Sequence, residues 1–266
     1  NALDPWNVRA DVPGAIRNAI VEATARIPFQ RIDDADVWFE CLYADLTEPD
    51  RKLAETVSPL QAQKGDRLAG GLTVVGVLGH GASARVIEVE RDGQPYALKV
   101  SIGPEHDGYL KAEGEVLSRL RHPSIVPLRD VLILADRVCL LLGLAGAGTL
   151  QRHLTDEGPL AVEDAIRYGE DLLEALDYLA REGVLHRDIK PGNLGVGARH
   201  KKARRLTIFD FSLIDVPLTD LKVGTDPYRD PYLRDRGAWD SAADRWAGAI
   251  TLHEALTGAR PGWGAL

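Results

Sequence analysis

Apolar positions change period along the chain, and each change marks a predicted element. Over residues 15–46 they recur at helical spacing (Ile16, Ala19, Ile20, Ala23, then Val37, Phe39, Leu42 and Leu46), with Pro28 between the two sets, which predicts two helices. Residues 47–65 are polar, contain Pro49 and Pro59, and read as a linker. From Leu68 the period shortens. Val74-Val75-Gly76-Val77-Leu78 reads as a strand, Arg85-Val86-Ile87-Glu88-Val89-Glu90 alternates with period two, Asp92-Gly93 supplies a hairpin turn, and residues 96–100 return as a third strand. Helical spacing resumes over 108–121 through Leu110, Val116, Leu117 and Leu120. Two further apolar runs, 125–134 and 138–142, read as strands around an Ala135-Asp136-Arg137 turn. Beyond Gly148 the chain becomes helical, with a long amphipathic helix over 161–181 whose inner side is expected to carry Ile166, Leu172, Leu173, Leu176 and Leu179.

Strands first and helices second predict an α+β fold of two lobes: a small antiparallel sheet with one helix, then a mainly helical lobe, with a ligand cleft between them. The expected division is 1–64 for a helical segment and linker, 65–148 for the sheet lobe with its hinge at 143–148, and 149–266 for the helical lobe.

Composition narrows the class. The chain has 266 residues, 45% of them hydrophobic, enough for a substantial core. A net charge of -8 repels phosphate backbones, so direct nucleic-acid binding is not expected. Cys41 and Cys139 stand far apart without metal-ligand spacing, which fits a reducing cytoplasm. The most apolar stretch, 138–145, is far shorter than the ~20 residues that cross a bilayer, so no membrane association is expected. The chain starts at Asn1 and contains no methionine, so it is expected to be a piece of a longer polypeptide.

Several segments carry candidate chemistry. Gly79-His80-Gly81-Ala82-Ser83-Ala84 is a glycine-rich loop, where missing side chains let backbone N–H groups approach phosphate oxygens. The same letters fit a dinucleotide-binding turn, but that turn must open a helix, whereas here an alternating strand follows; an ordinary turn is the plain alternative. Lys99, flanked by apolar residues on the third strand, is expected to need a partner for its charge or else to reach for water. Glu113 lies on the apolar face of the following helix with Leu110, Leu117 and Leu120, and can supply that partner. His186-Arg187-Asp188-Ile189-Lys190-Pro191-Gly192-Asn193 packs a candidate base, a cation and a metal ligand into one loop. Asp210 ends an apolar strand in Leu206-Thr207-Ile208-Phe209-Asp210-Phe211-Ser212. The basic run Arg199-His200-Lys201-Lys202-Ala203-Arg204-Arg205 reads as a solvated hairpin tip, with a docking site for acidic partners as the alternative.

Over residues 68–260 these motifs resemble the eukaryotic-like serine/threonine protein kinase superfamily. The resemblance implies a bilobal kinase fold with an apparently truncated large lobe, and use of ATP and Mg²⁺. It implies that Asp188 accepts the substrate hydroxyl proton, Lys190 steadies the transferring phosphoryl group, and Asn193 and Asp210 hold magnesium. By the same resemblance Lys99 pairs with Glu113, Gly79, Gly81 and Lys99 engage the phosphates, and Leu78, Val86, Ala97, Leu142, Leu144 and Leu194 surround the adenine. Gly224-Thr225-Asp226-Pro227-Tyr228-Arg229-Asp230-Pro231 resembles the family's substrate-binding loop, in which Thr225 would contact Asp188 and Lys190 and accompany serine/threonine specificity. Asp244 would brace the catalytic loop or, as a plain acid, serve its own helix terminus. Arg187 would receive a phosphate from the activation segment, with Thr219 the leading acceptor.

Two departures stand out. Ser212 replaces the family's glycine, which is expected to restrict flipping of that segment. Tyr232 replaces a glutamate, so the usual anchoring ion pair is expected to be missing. Gly79–Arg85, Phe209–Leu213, Pro217–Leu221 and Thr251–Glu254 are similar to the PglW-type kinases of phage growth limitation and BREX defence systems. That implies a cytoplasmic kinase within a larger antiviral defence protein, acting on a protein with a serine or threonine acceptor, alongside other domains of the same polypeptide. Residues 11–42 resemble the last helices of a kinase domain, either the tail of an upstream kinase-like domain or a permuted completion of this lobe. Two other functions stay open: a catalytically silent nucleotide-binding pseudokinase or scaffold, and a small-molecule kinase.

Overall fold

Alternation of apolar and polar side chains over residues 67–142 produces one antiparallel sheet in the computed structural model, which describes residues 57–197 and 205–262. Its strands are β1 (Arg67–Leu68), β2 (Leu72–His80), β3 (Ala84–Arg91), β4 (Gln94–Ser101), β5 (Leu128–Leu134) and β6 (Arg137–Leu142), in the order β1-β2-β3-β4-β6-β5. The β3–β4 turn places Asp92 and Gly93 at φ 53° and 72°, the left-handed pair that suits a two-residue hairpin. On one face Ile87, Val89, Leu98, Val100, Cys139 and Leu141 are buried with Leu68, Leu72, Val74 and Leu134 as a core. The alternate residues Val86, Ala97, Lys99, Leu140 and Leu142 share the opposite face, in the register Val86↔Lys99, Lys99↔Leu140 and Ala97↔Leu142.

The end of the expected linker belongs to this core. Ala62 is fully buried in it, and the Arg85 guanidinium donates to the carbonyls of Pro59 (2.9 Å) and Ala62 (2.7 Å). Two further main-chain bonds, Gly65 N–H to Val74 and Val74 N–H to Asp66, join it to β2. A polar composition concealed this, because the contacts run through main-chain carbonyls and one alanine. The rest of the linker and both helices expected over 15–46 lie outside the described residues, as do 199–204 of the basic run.

Helix α1 (Pro104–Arg119) begins earlier than its apolar spacing indicated; Asp107 in its first turn accepts from the Ser101 hydroxyl and from the Val138 N–H. The chain divides into two compact units, with 57–111 and 128–142 in the first and 112–127 and 143–262 in the second. Residues 112–127 join the second because Val126 N–H bonds to Ile208 O and Ile208 N–H to Ser124 O, both at 2.9 Å. The strand expected from Ile125 therefore starts at Leu128.

In the second unit, β7 (Gly148–Thr149), β8 (Leu194–Val196) and β9 (Thr207–Ile208) form a small sheet. The same unit contains α2 (Leu150–Asp156), α3 (Val162–Arg181), α4 (Leu233–Arg236) and α5 (Ser241–Thr257). Asp240 caps α5 through Ala243 N–H. Ile166 and Leu173 are 59% and 49% exposed, not inward as expected. The buried side of α3 is Ala165, Tyr168, Gly169, Leu172, Ala175, Leu176 and Leu179. Small residues make the seam with α5: Gly169 faces Leu252, and Gly248 faces Leu172 and Leu176. Counting only large apolar residues misses such a seam. Among the described residues no helix is long and apolar enough to cross a membrane.

Candidate active site

The loop after α3 is built on a buried carboxylate. Asp244, in the first turn of α5 and 3% exposed, accepts the main-chain N–H groups of His186 (2.7 Å) and Arg187 (2.8 Å). Burial raises the Asp244 pKa, and His186, Arg187 and their amides pull it back. The fully buried His186 shares a 3.0 Å hydrogen bond between its ring nitrogen and the Phe209 carbonyl and meets the Phe211 ring edge-on at 4.8 Å. Arg187 adopts φ 66° and donates from its guanidinium to the carbonyls of Val216 (2.5 Å) and Ile214 (2.7 Å). Burial lowers its pKa, partly offset by Asp244.

Four predicted side chains converge on this base. The Lys190 ammonium donates to Asp188 Oδ2 (2.7 Å) and to the Thr225 hydroxyl (2.8 Å), and that hydroxyl donates to Asp188 Oδ1 (2.7 Å). Asn193 Nδ2 donates to the Asp188 carbonyl (2.9 Å) and to Oδ2 (3.0 Å). Each oxygen of Asp188 is thereby aimed, and Lys190 sits where it could neutralise a negative group arriving beside it. Gly224 makes this approach possible: at φ +83° it lies against the Arg187 carbonyl, which a Cβ would meet at 2.5 Å.

Phe209 N–H donates to the Asn193 carbonyl (3.1 Å), so the two metal candidates, Asn193 and Asp210, flank neighbouring strands β8 and β9. Asp210 adopts φ 66°, whereas Ser212 stays out of the left-handed region and strains nothing there. Asn193 Nδ2 is committed to Asp188, and the remaining amide oxygen and the Asp210 carboxylate are hard oxygens, the donor type that magnesium takes. Among the described residues no cluster of three or more His, Cys, Asp or Glu could hold a metal alone.

Glu113 is 1% exposed, and its carboxylate accepts the Phe211 N–H at 3.2 Å, steadying the segment that carries Asp210. No sequence signal marked that role. In the first unit Lys99 is 5% exposed on the sheet face it shares with Val86, Ala97 and Leu142. The glycine-rich segment closes the β2–β3 hairpin through Gly81 N–H to Ala84 O (2.8 Å), so it opens a strand and not a dinucleotide-binding helix. Gly79 pairs with Val86, and Leu78 is half exposed. In the second unit Leu194 is fully buried on β8 and Leu144 is partly buried.

An ion pair of another kind stands close to Tyr232. Tyr232 is 57% exposed, but two residues earlier the nearly buried Asp230 receives Arg236 Nη2 at 2.5 Å, and Arg236 Nε reaches Asp240 at 3.0 Å. The Tyr228 hydroxyl donates to Glu254 on α5 (2.6 Å); its pKa is raised by burial and by that bond. Spacing did not reveal the Asp230–Arg236 and Tyr228–Glu254 partners, because neither of those two pairs shares a helical face.

Residues 72–265 match the family described as the protein kinase domain. The chain is 35% identical to the probable kinase PglW of Streptomyces coelicolor over 91% of its own length and 18% of that protein. It is 31% identical to the serine/threonine-protein kinase H1 homolog of Danio rerio over 82% of the chain and 54% of that protein. With calcium/calmodulin-dependent protein kinase type IV of Rattus norvegicus it shares 31% identity over 76% of the chain and 44% of that protein. The chain thus spans about half or less of each of these relatives.

Proposed function

The chain belongs to the protein kinase domain family, and from that premise we propose that it transfers the terminal phosphoryl group of ATP to a serine or threonine hydroxyl of a protein. The observation that carries this reading is the closed set of Asp188, Lys190, Thr225 and Asn193, with every bond between 2.7 and 3.0 Å.

In this mechanism an acceptor hydroxyl docks beside Thr225 and hydrogen-bonds to Asp188, which orients the oxygen and takes its proton as the new P–O bond forms, while the bond from the γ-phosphorus to the β–γ bridging oxygen breaks and ADP leaves. Lys190 offsets the negative charge on the moving phosphoryl group. Lys99 and the hairpin amides around Gly79 and Gly81 engage the nucleotide phosphates, and Leu78, Val86, Ala97, Leu142, Leu144 and Leu194 serve the adenine. Asn193 and Asp210 would hold magnesium, which supplies charge neutralisation at the phosphates. Positioning and electrostatics supply the rate enhancement, with no covalent intermediate.

Similarity to PglW supports a finer reading, that this kinase is one part of a larger bacterial phage-defence protein in the cytoplasm and works beside other domains of the same chain. A net charge of -8 supports protein rather than nucleic acid as its partner.

Incubating the full-length protein with labelled ATP and Mg²⁺ beside Asp188→Ala tests the central reading. Phosphate incorporation into serine or threonine that is lost in Asp188→Ala is expected. Equal incorporation by both proteins, or none by the parent, overturns it and leaves a silent nucleotide-binding module.

A further inference from the structure

Residues 225–232 need a firm seat, because Thr225 can aim Asp188 and Lys190 only if its backbone is fixed. Within the segment the bonds are short-range turns: Tyr228 N–H to Thr225 O, Arg229 N–H to Asp226 O, and Leu233 N–H to Asp230 O. The Arg229 guanidinium folds back onto the carbonyls of Lys222, Val223 and Gly224. These contacts shape the segment without attaching it to the frame.

Attachment to α5 comes from the Tyr228 hydroxyl, which donates to Glu254 at 2.6 Å, and, at the far end of the segment, from a chain of charges. The Asp230 side chain is 4% exposed; one oxygen accepts the Tyr232 N–H at 2.9 Å and the other receives Arg236 Nη2 at 2.5 Å. Arg236 Nε then reaches the Asp240 carboxylate at 3.0 Å, and Asp240 caps α5 through Ala243 N–H at 3.0 Å. One turn further along α5, Asp244 holds the amides of His186 and Arg187. The substrate-side segment and the catalytic loop are therefore moored to the same helix end, one through Arg236 and the other directly. A planar guanidinium suits this because one edge can bind two carboxylates in fixed directions, which an ammonium cannot do.

We propose that Arg236 is a positioning residue for phosphoryl transfer: it ties the Asp230 end of the substrate-binding segment to the N-terminus of α5 and so sets where Thr225 and the acceptor hydroxyl stand. This rests on the kinase reading above. The anchor is local, within a dozen residues of chain, and uses an aspartate at a position where the sequence pattern gave no reason to expect one.

The test uses the full-length protein with Arg236→Ala, Arg236→Lys and Asp230→Asn, assayed with a serine peptide and labelled Mg-ATP, together with a fluorescent ATP analogue for binding. Misplacing the segment should lower kcat/KM for the peptide by about 10- to 100-fold in Arg236→Ala while nucleotide affinity stays within about twofold. Arg236→Lys should recover only part of the loss, and Asp230→Asn should resemble Arg236→Ala. A peptide rate in Arg236→Ala equal to the parent's, or a parallel loss of nucleotide affinity in all three variants, overturns the proposal.

Hydrogen exchange at the Tyr232 amide separates this idea from the kinase reading. Protection there should fall in Arg236→Ala and stay unchanged in Asp188→Ala. If the parent transfers no phosphate, the kinase reading fails, and exchange still decides whether Arg236 seats the segment. Unchanged Tyr232 protection in Arg236→Ala would sink the anchor.

Discussion

Asp244 holds two catalytic-loop amides on one carboxylate, at 2.7 and 2.8 Å, so replacing it should reach Asp188 without touching it. An asparagine can accept only one of those N–H groups and turns its own NH₂ toward the other. Asp244→Asn should therefore lower kcat by about 10- to 100-fold, measured under saturating ATP. Its pH dependence has a definite sign. Burial raises the Asp244 pKa above 3.8, so the folded chain binds this proton more tightly than the unfolded one. The contribution to stability is full below 3.8 and is lost as pH rises through the raised value. Urea unfolding should accordingly show the deficit of Asp244→Asn to be largest in acid and to shrink toward neutrality. Arg187 leads to a second expectation. Its guanidinium already donates to the carbonyls of Ile214 and Val216, so a phosphate on the exposed Thr219 has little left to organise. Thr219→Ala should lower the rate by about threefold or less, and a larger loss would show that the carbonyl seat does not substitute for a phosphate.

Among elements, the segment ahead of the first sheet depends on one side chain. Arg85 is 7% exposed, and removing it strips hydrogen bonds from Pro59 and Ala62 carbonyls that are 26 and 23 residues distant in sequence. Arg85→Ala should cost about 2–4 kcal/mol from unpaired carbonyls and lost packing. It should also open residues 57–66 to limited proteolysis, and resistance equal to the parent's would refute the tether. Nothing in the spacing of Arg85 foretold this, since a strand arginine usually faces water. Local motifs were far more legible. The hairpin turn at Asp92-Gly93, the alternation of β3 and the run from His186 to Asn193 are short-range patterns, and short range is what sequence spacing constrains. Helix α3 shows the opposite case: Ile166 and Leu173 look like core but face solvent, because Gly169 and Gly248 decide which side α5 can approach. Likewise, no periodicity links Glu113 to the Phe211 amide 98 residues away.

For the molecule as a whole, the two-unit architecture followed from the order of strands and helices, but residues 112–127 joined the second unit through bonds to β9 that no composition shift announces. The sole described cysteine, Cys139, is buried in the sheet core with its thiol pushed up to about 12 by desolvation, so this thiol should resist oxidation. Nucleotide and metal binding offer the sharpest whole-chain test. On the proposed assignment, Asp210 and Asn193 bring one carboxylate and one amide oxygen, too few charges to hold Mg²⁺ firmly without a phosphate to share it. Magnesium alone should therefore leave the thermal midpoint in place. ATP with magnesium at about a hundred times its dissociation constant should stabilise the fold by about 2.7 kcal/mol, visible as a rise in Tm by calorimetry. EDTA should remove most of that rise, and Asp210→Asn should make the ATP response insensitive to magnesium. A midpoint that shifts as much with magnesium alone as with Mg-ATP would show that the cation binds elsewhere. No shift with either would favour a scaffold that binds no nucleotide.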